Sequence, residues 1–590
     1  MEYTEAALAI LKESDKPLSA IEIWKKIKEL NLIDAKNAKT PERTLNSYLH
    51  WNSDSNENES SLFSITSKKP DKFILIDKLD SWMEKQNNIQ KKLYISNEVK
   101  YQVIKDIYTK TGAFNKSSTD NRILIFNDRF KRLVSRHKTI GERVRNLKET
   151  FELVKSYIGV SNVEKKLKGE VFTPFDLIED MLNSKSKEFW EDLDKKILEP
   201  ANGIGNFIVV LVFRYMYGFK HPDGWETKGL SEKILDEEER YAWIMQEIIH
   251  VCDIQSKNMF IYREIFDPEH KLNLKYFTGS YLTEEFDKKS EEWKSQSTNW
   301  TSQKFEVVSN PPYQELDNND RSKGGGKGGD NNLWSKFITK SIKISDSILF
   351  INPPSFFSPD HKISKSLFES GGFRKLKIFE KSPFEYASTN ACHYLWEKDY
   401  FGETIINNGT INLHDMKIYP SSSDIVDFNI FNKFFNNSEC FNFVSNSKLH
   451  KTNKKEYISD KQDNIFKYKL YHASKIIFSS IKTEDFDNYK VMLSDSGYLN
   501  PQFDNNCNTS QHTFYLNVDN EFIAKRVIEI LNSKPYKYVL NKTKFSGFYH
   551  GTVLKNIPKV DLSKSWTDEE LYKYFNLTKE EIQKIEDTVK

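Results

Sequence analysis

Apolar positions recur at helical spacing from the first turns of the chain. Ala6-Ala7-Leu8-Ala9-Ile10-Leu11 sets up one such face, and Ala20-Ile21-Glu22-Ile23-Trp24 through Leu30 sets up a second. Pro17-Leu18-Ser19 breaks the chain and caps the next helix between them. Thr40-Pro41-Glu42-Arg43 opens a third helix, with proline in its first turn, running to about Trp51. Alternating runs follow: Phe63-Ser64-Ile65 and Lys72-Phe73-Ile74-Leu75-Ile76 read as the two strands of a wing. Three helices and a hairpin make residues 1–80 a winged-helix unit. Residues 81–165 read as a mainly helical connector. From 166 to 401, short buried strands alternate with amphipathic helices, the pattern of a doubly wound α/β sheet. Residues 402–560 carry short strand-like runs among Asn, Lys and aromatic residues. Residues 561–590 hold a helix pair capped at Trp566-Thr567-Asp568. At 590 residues, three or four domains are expected.

Within 166–401 the strand ends carry the chemistry. Gly169-Glu170-Val171-Phe172-Thr173-Pro174 leads into the amphipathic segment Leu177 to Leu182, and Thr173-Pro174 reads as a helix start. Ile197-Leu198-Glu199 is a short strand; Pro200-Ala201-Asn202-Gly203-Ile204-Gly205 is a turn; a helix runs from Phe207 to about Tyr217. Glycines there let backbone approach a ligand closely, although the same letters also serve a plain strand–helix turn. Val209 and Val210 stand where a dinucleotide fingerprint would carry further glycine, which argues against a nicotinamide enzyme. Ile248-Ile249-His250-Val251-Cys252-Asp253-Ile254 is a buried strand closed by an acid. A carboxylate there binds ribose hydroxyls or caps the next helix. Phe277-Thr278-Gly279-Ser280-Tyr281-Leu282 is a third strand end.

The strand Phe305-Glu306-Val307-Val308-Ser309 ends in Asn310-Pro311-Pro312-Tyr313. These residues form a strand-terminating turn, and they also suit one reaction. The lone pair of an exocyclic amine such as adenine N6 is delocalised into its ring. Two acceptors on its N–H bonds draw it toward tetrahedral geometry. The Asn310 side chain supplies one acceptor and the Pro311 carbonyl the other, since the residue before Pro312 is held away from helix. Tyr313 stacks on the base, worth roughly 1–3 kcal/mol. A paired base cannot reach such a pocket, so it must leave the duplex. Ile348-Leu349-Phe350-Ile351-Asn352-Pro353-Pro354-Ser355 mimics this strand end but lacks the aromatic, and reads as scaffold.

In sequence and order, GEVFTP, LEPANGIGNF, VCDI, GSYL and VVSNPPY resemble the gamma class of S-adenosylmethionine-dependent DNA amino-methyltransferases, over about residues 165–400. The resemblance implies a Rossmann-like methyltransferase sheet followed by an α+β target-recognition domain at 402–560. It implies S-adenosyl-L-methionine bound by Phe172, Thr173 and Pro174, by Glu199, Ala201 and Gly203, and by Asp253 with Ile254. It implies catalysis by Asn310, Pro311, Pro312 and Tyr313. Where the family has Asp after the glycine of its third motif, this chain has Ser280, a weaker partner for the cofactor's adenine amine. Phe384, in Lys381-Ser382-Pro383-Phe384-Glu385-Tyr386, is the candidate for the second aromatic on the base, or else a core residue. The N-terminal string PLSAIEIWKKIKELNLI…KTPERTLNSYL resembles the HARE-HTH family, which implies DNA or protein docking.

The expected activity is adenine-N6 methylation of DNA in a restriction–modification system, beside a cognate restriction endonuclease. Rival readings are cytosine-N4 methylation, protein-glutamine methylation, and a silent DNA-binding subunit. Charge bears on this only locally. The whole chain has 87 Lys and Arg against 85 Asp and Glu, but residues 81–170 hold 20 against 10. A basic arm beside the enzyme suits phosphate contact, or is a solvated helix surface. Residues 1–80, with 12 basic and 14 acidic side chains, leave a protein-docking role open. Four dispersed cysteines without a CxxC pair speak against a zinc site and for a reducing cytoplasm. None follows a proline, so the nucleophile of cytosine-C5 enzymes is missing. No apolar run approaches a membrane span. The stretch 317–332, with Gly324-Gly325-Gly326-Lys327-Gly328-Gly329, is not a phosphate-binding loop of the Walker type. It reads as a loop beside the base pocket that orders on DNA, or as a plain insertion. Lys544-Phe545-Ser546-Gly547-Phe548-Tyr549-His550-Gly551 mixes cations and aromatics suited to DNA.

Overall fold

The computed structural model describes residues 3–14, 16–33, 41–51, 62–67, 72–75, 78, 139–158, 172–297, 299–313, 332–359, 361–384, 390–407, 409–436, 439–446, 449, 455–496, 500–544 and 549–589. The chain divides into two compact units, Met1–Val103 and Ile104–Lys590. Most of the expected connector, and the glycine-rich stretch at 324–329, fall outside the described residues.

The first unit is a winged helix: α1 (Tyr3–Lys12), β1 (Leu18–Ser19), α2 (Ala20–Glu29), α3 (Pro41–Trp51), β2 (Phe63–Ser67) and β3 (Lys72–Leu75). The strands form an antiparallel sheet in the order β1-β3-β2. The amphipathic faces read from the sequence meet in one core, where Ile23, Ile27, Leu45 and Phe73 are fully buried. Ser19 starts α2 by a reciprocal cap. Its hydroxyl accepts from the Glu22 N–H, and its own N–H donates to the Glu22 carboxylate at 2.7 Å. Strand β1 is not among the expected elements, because two residues are too short to show alternation.

In the second unit, α4 (Ile140–Arg145) and α5 (Leu147–Ile158) precede α6 (Phe175–Leu182). The sheet then begins with β4 (Ile197–Glu199), α7 (Asn206–Tyr217), β5 (Ile249–Asp253), α8 (Ser256–Phe266), β6 (Lys275–Thr278) and β7 (Phe305–Ser309). It continues with α9 (Leu333–Ile344), β8 (Ser345–Asn352), β9 (Gly371–Ile378), β10 (Cys392–Lys398), β11 (Thr404–Ile406) and β12 (Gly409–Ile411). The nine strands lie in the order β12-β11-β9-β10-β8-β7-β4-β5-β6. Strands β4 to β8 run parallel to one another, while β10 is antiparallel to both β8 and β9. The chain builds outward from β4 to β6, then returns to place β7 on the other side of β4. That reversal opens a crevice at the carboxyl ends of β4 and β7, where doubly wound sheets bind ligands. Strand β8 begins at Ser345 and ends at Asn352; Pro353 stops it, and Pro354–Phe357 turn into a short 3-10 helix.

Beyond the large sheet stand two four-stranded sheets, the helix Ile425–Phe435, and a C-terminal helical group, an α+β arrangement. One apolar cluster runs continuously from Leu198 through Phe350 and Phe431 to Ile585. Asp427, fully buried on Ile425–Phe435, is balanced by Lys542 at 2.9 Å and by the hydroxyls of Ser422 and Tyr538. The final helices, Asp568–Tyr574 and Lys579–Thr588, each start with a capping box, at Thr567/Glu570 and Thr578/Glu581.

Candidate active site

A cavity of about 180 Å³ sits over the carboxyl ends of β4, β5, β6 and β7. Its floor is the glycine turn after β4. Gly203 and Gly205 both have positive φ, at 55° and 105°. A Cβ at Gly205 would lie 2.9 Å from Phe266, so only glycine fits there. At Gly203 the same position is open space, which leaves room for a ligand against the backbone.

Asp253, at the end of β5, holds this turn. One carboxylate oxygen accepts from the Gly203 N–H at 2.7 Å. The other accepts from the Gln255 N–H at 2.7 Å and from Asn258 Nδ2 at 3.3 Å. Asp253 is not the helix cap, since the N-cap of α8 is Gln255 without a side-chain cap bond; its carboxylate ties the turn before α8 and also lines the cavity. Beside it Ile254 is 71% exposed, an isoleucine left uncovered on a cavity wall. Ser280 follows β6 and lines the same wall; its hydroxyl accepts from the Leu282 N–H at 3.3 Å.

Glu199 is placed differently. It is 1% exposed and lies behind the turn, outside the cavity lining. Its Oε1 accepts from the Ala201 N–H at 3.0 Å and from the Ser309 hydroxyl at 2.5 Å, tying β4 to β7 one residue before Asn310. Its Oε2 has no partner among the described residues. Burial pushes the carboxyl up to about 8, against the lowering effect of these two bonds and with help from the Asp253 charge. The native state therefore holds this proton where the unfolded chain has released it. Stability from Glu199 is full below the ordinary value of 4.5 and is lost as pH rises to about 8. Glu199→Gln, which keeps the neutral shape, should flatten this loss. Thermal unfolding from pH 5 to pH 9 should show the variant gaining on the native protein with rising pH; parallel curves would refute the assignment.

Asn310 lies at the mouth of β7 and lines the cavity with Pro312. Its Nδ2 donates to the Thr173 hydroxyl at 3.1 Å. Pro311 is buried, and the half-buried Tyr313 ring packs against the apolar cluster. The Tyr313 carbonyl accepts from the Leu333 N–H at 3.3 Å, and burial raises its hydroxyl, which has no partner among the described residues. Phe172 and Thr173 line the cavity; Pro174 is exposed at the start of α6 and does not. Pro174, not Thr173, is the N-cap of α6 and offers no side-chain cap bond, while the Thr173 hydroxyl accepts from Asn310. Ala201 lines the cavity. Phe384 is 6% exposed and lies outside the lining.

Asn352, in the look-alike strand end, is fully buried. Its Oδ1 accepts from the Tyr394 hydroxyl at 2.9 Å and its Nδ2 donates to the Pro353 carbonyl at 2.8 Å. Both ends of that amide are occupied. Lys544, Tyr549, His550 and Gly551 are described from the candidate DNA-contacting stretch, but Phe545 to Phe548 are not. His550 bonds Ser358 of the segment after β8.

Two site residues escape a reading of the sequence. Asn202 and Asn206 are each 5% exposed, line the cavity, and leave Oδ1 without a partner among the described residues. Asn206 is legible in principle: it opens the mostly apolar helix α7, where a buried amide requires a reason. Among the described residues, no group of three or more His, Cys, Asp or Glu is arranged to hold a metal. No helix among them is long and apolar enough to cross a membrane.

The sheet order, the antiparallel β10 and the crevice at the β4/β7 reversal define a Rossmann-like methyltransferase fold, in a chain that begins with a winged helix. Known families match both parts. Residues 242–384 match the model described as Eco57I restriction-modification methylase. Residues 1–68 match the HARE-HTH model, whose description includes the restriction endonuclease HTH domain. A Mycoplasma pneumoniae (strain ATCC 29342 / M129 / Subtype 1) protein, described as an uncharacterized adenine-specific methylase, is 23% identical over 362 residues, which are 50% of this chain and 81% of that one. Among solved structures, a nuclease-deletion mutant of the Type ISP restriction-modification enzyme LlaGI, with a DNA substrate mimic, aligns at 13% identity and TM-score 0.41. That alignment covers 94% of this chain and 67% of the other. The DrdV–DNA complex aligns at 11% identity and TM-score 0.38, over 71% of this chain and 59% of that one.

Proposed function

We propose that this protein is a DNA methyltransferase of the restriction–modification type that methylates adenine N6 of a flipped base. The observation that carries the reading is the placement of Asn310. Its side-chain amide is anchored through nitrogen at the end of β7, on the cavity that Asp253 and Ile254 line from β5. Cofactor site and amine site are then one space.

The residues fit S-adenosylmethionine. Gly203 leaves open space at the turn, Asp253 offers its carboxylate to ribose hydroxyls, and Ile254 offers an uncovered apolar face to a base. The unpartnered amide oxygens of Asn202 and Asn206 suit donors such as an ammonium. When bound, the cofactor supplies an electrophilic sulfonium methyl group. The chain's own contribution is to prepare the nucleophile. Asn310 Oδ1 and the Pro311 carbonyl accept the two amine hydrogens, which takes the nitrogen lone pair out of conjugation. Tyr313, next after Pro312, holds the base by its face; the buried Phe384, outside the cavity lining, is not placed to stack on the other face. No strong base is needed, because the nitrogen becomes acidic once methylated.

Duplex DNA is the proposed substrate. The region at 402–560, the candidate reader of the target, presents lysines over aromatic rings: Lys467 over Tyr468 and Lys482 over Phe486, each at 5.3 Å. A DNA- or protein-docking role for the winged helix and a partner restriction endonuclease belong to the same proposal.

The test is to incubate the protein with methyl-labelled S-adenosylmethionine and DNA of mixed sequence, then map the modified bases. N6-methyladenine at one short sequence is the expected product. N4-methylcytosine would replace the target base in the proposal. Unlabelled DNA under conditions where the cofactor binds would end it.

A further inference from the structure

We infer that Thr173 is a positioning residue for Asn310, rather than only a wall of the cofactor cavity. The inference rests on the proposed amino-methyl transfer and adds a second element to it. The terminal torsion of an asparagine is broad and two-fold. An Asn310 amide at the end of a strand thus has no intrinsic reason to face its oxygen toward a substrate amine. Turned over, it would set its own NH2 against that amine, donor against donor. Something outside the residue must hold the nitrogen.

Thr173 does this. Its hydroxyl accepts from Asn310 Nδ2 at 3.1 Å, across 137 residues of sequence. Oxygen and nitrogen are fixed in one planar amide, so pinning the nitrogen decides where Oδ1 lies. The pin is itself held. Thr173 is 4% exposed, its β-branched side chain has restricted χ1, and its carbonyl accepts from Asn206 Nδ2 at 2.9 Å. Asn206 is the first residue of α7, just past the glycine turn. The chain of contacts Asn206–Thr173–Asn310 joins the floor of the cofactor cavity to the amide that meets the amine. Ordering of the turn is thereby transmitted to the orientation of Oδ1.

Thr173→Val keeps the shape and removes the acceptor. It should lower kcat for methyl transfer by about 10- to 100-fold, the cost of a misplaced catalytic group. Any loss of cofactor affinity should be clearly smaller than the loss in kcat, and Thr173→Ser, which keeps the acceptor, should restore most of kcat. If Thr173→Val weakens cofactor binding with kcat unchanged, Thr173 is a cofactor contact only and the inference is overturned. A second readout does not depend on activity. In neutron-diffraction structures of the native protein and Thr173→Val, which tell amide oxygen from nitrogen, the Asn310 amide should be single and ordered in the first, and turned or doubly oriented in the second. An unchanged amide would overturn the inference even in a protein that fails to methylate DNA, whereas that failure alone would count only against the proposed reaction.

Discussion

Asn310→Ala should bind S-adenosylmethionine normally and fail to methylate DNA. Its side-chain nitrogen is tied to Thr173 across the cavity wall, a single bond whose removal leaves β7 and the glycine turn intact. What is lost is the proposed acceptor for the substrate amine. Deleting one such preorganised group costs roughly 100- to 1,000-fold in kcat. Single-turnover transfer of labelled methyl, paired with a cofactor titration, separates the two effects. A collapse of cofactor affinity at unchanged chemistry would make Asn310 a cofactor residue and refute its role. Asn352→Ala is the matching control. That amide is fully buried and spent on Tyr394 and Pro353, so its loss should cost stability, about 1–3 kcal/mol, for the partner left unsatisfied. The same three letters, Asn-Pro-Pro, thus predict opposite outcomes at the two strand ends.

Asp253→Asn should lower cofactor affinity by roughly 100-fold and also lower the melting temperature. The native carboxylate accepts on both oxygens, from Gly203 N–H on one and from Gln255 N–H and Asn258 Nδ2 on the other. A carboxamide can accept on only one side, so an NH2 group is forced against an N–H donor. Each charge-assisted bond of this kind is worth about 1.5–3 kcal/mol, and about 1.4 kcal/mol is tenfold in affinity. The glycine turn at Gly203 and Gly205 loses its anchor, and the proposed ribose contact goes with it. Calorimetric titration with S-adenosylmethionine checks the first effect and thermal unfolding the second. A lower melting temperature with affinity changed less than about threefold would confine Asp253 to holding the turn.

Local signals in the chain explain how much of the site is legible. Asn310 and Asp253 each close a run of buried apolar residues, and the glycines after β4 stand where only positive φ serves. Such signals lie within a few residues of one another and survive without the fold. Glu199 shows where that stops. The family resemblance implies a cofactor contact for it, and its carboxyl turns to Ser309 on the neighbouring strand, 110 residues away. Thr173 reads in sequence as a helix start and a cofactor residue, and its hydroxyl is bonded to Asn310. Strand β1 escapes because two residues carry no period.

Periodicity thus predicts the winged helix and the doubly wound sheet, and strand-end residues in an order that resembles a known family imply the type of reaction proposed, since these depend on short segments. The direction of each polar group does not follow from them. Whether Asn310 or Asn352 keeps an amide available, and whether Glu199 faces a ligand or a strand, depends on which distant partner arrives beside it. Those partners, Thr173, Tyr394 and Ser309, are brought there by the strand order of the sheet, and a hydrogen bond across it leaves no spacing in the sequence to read.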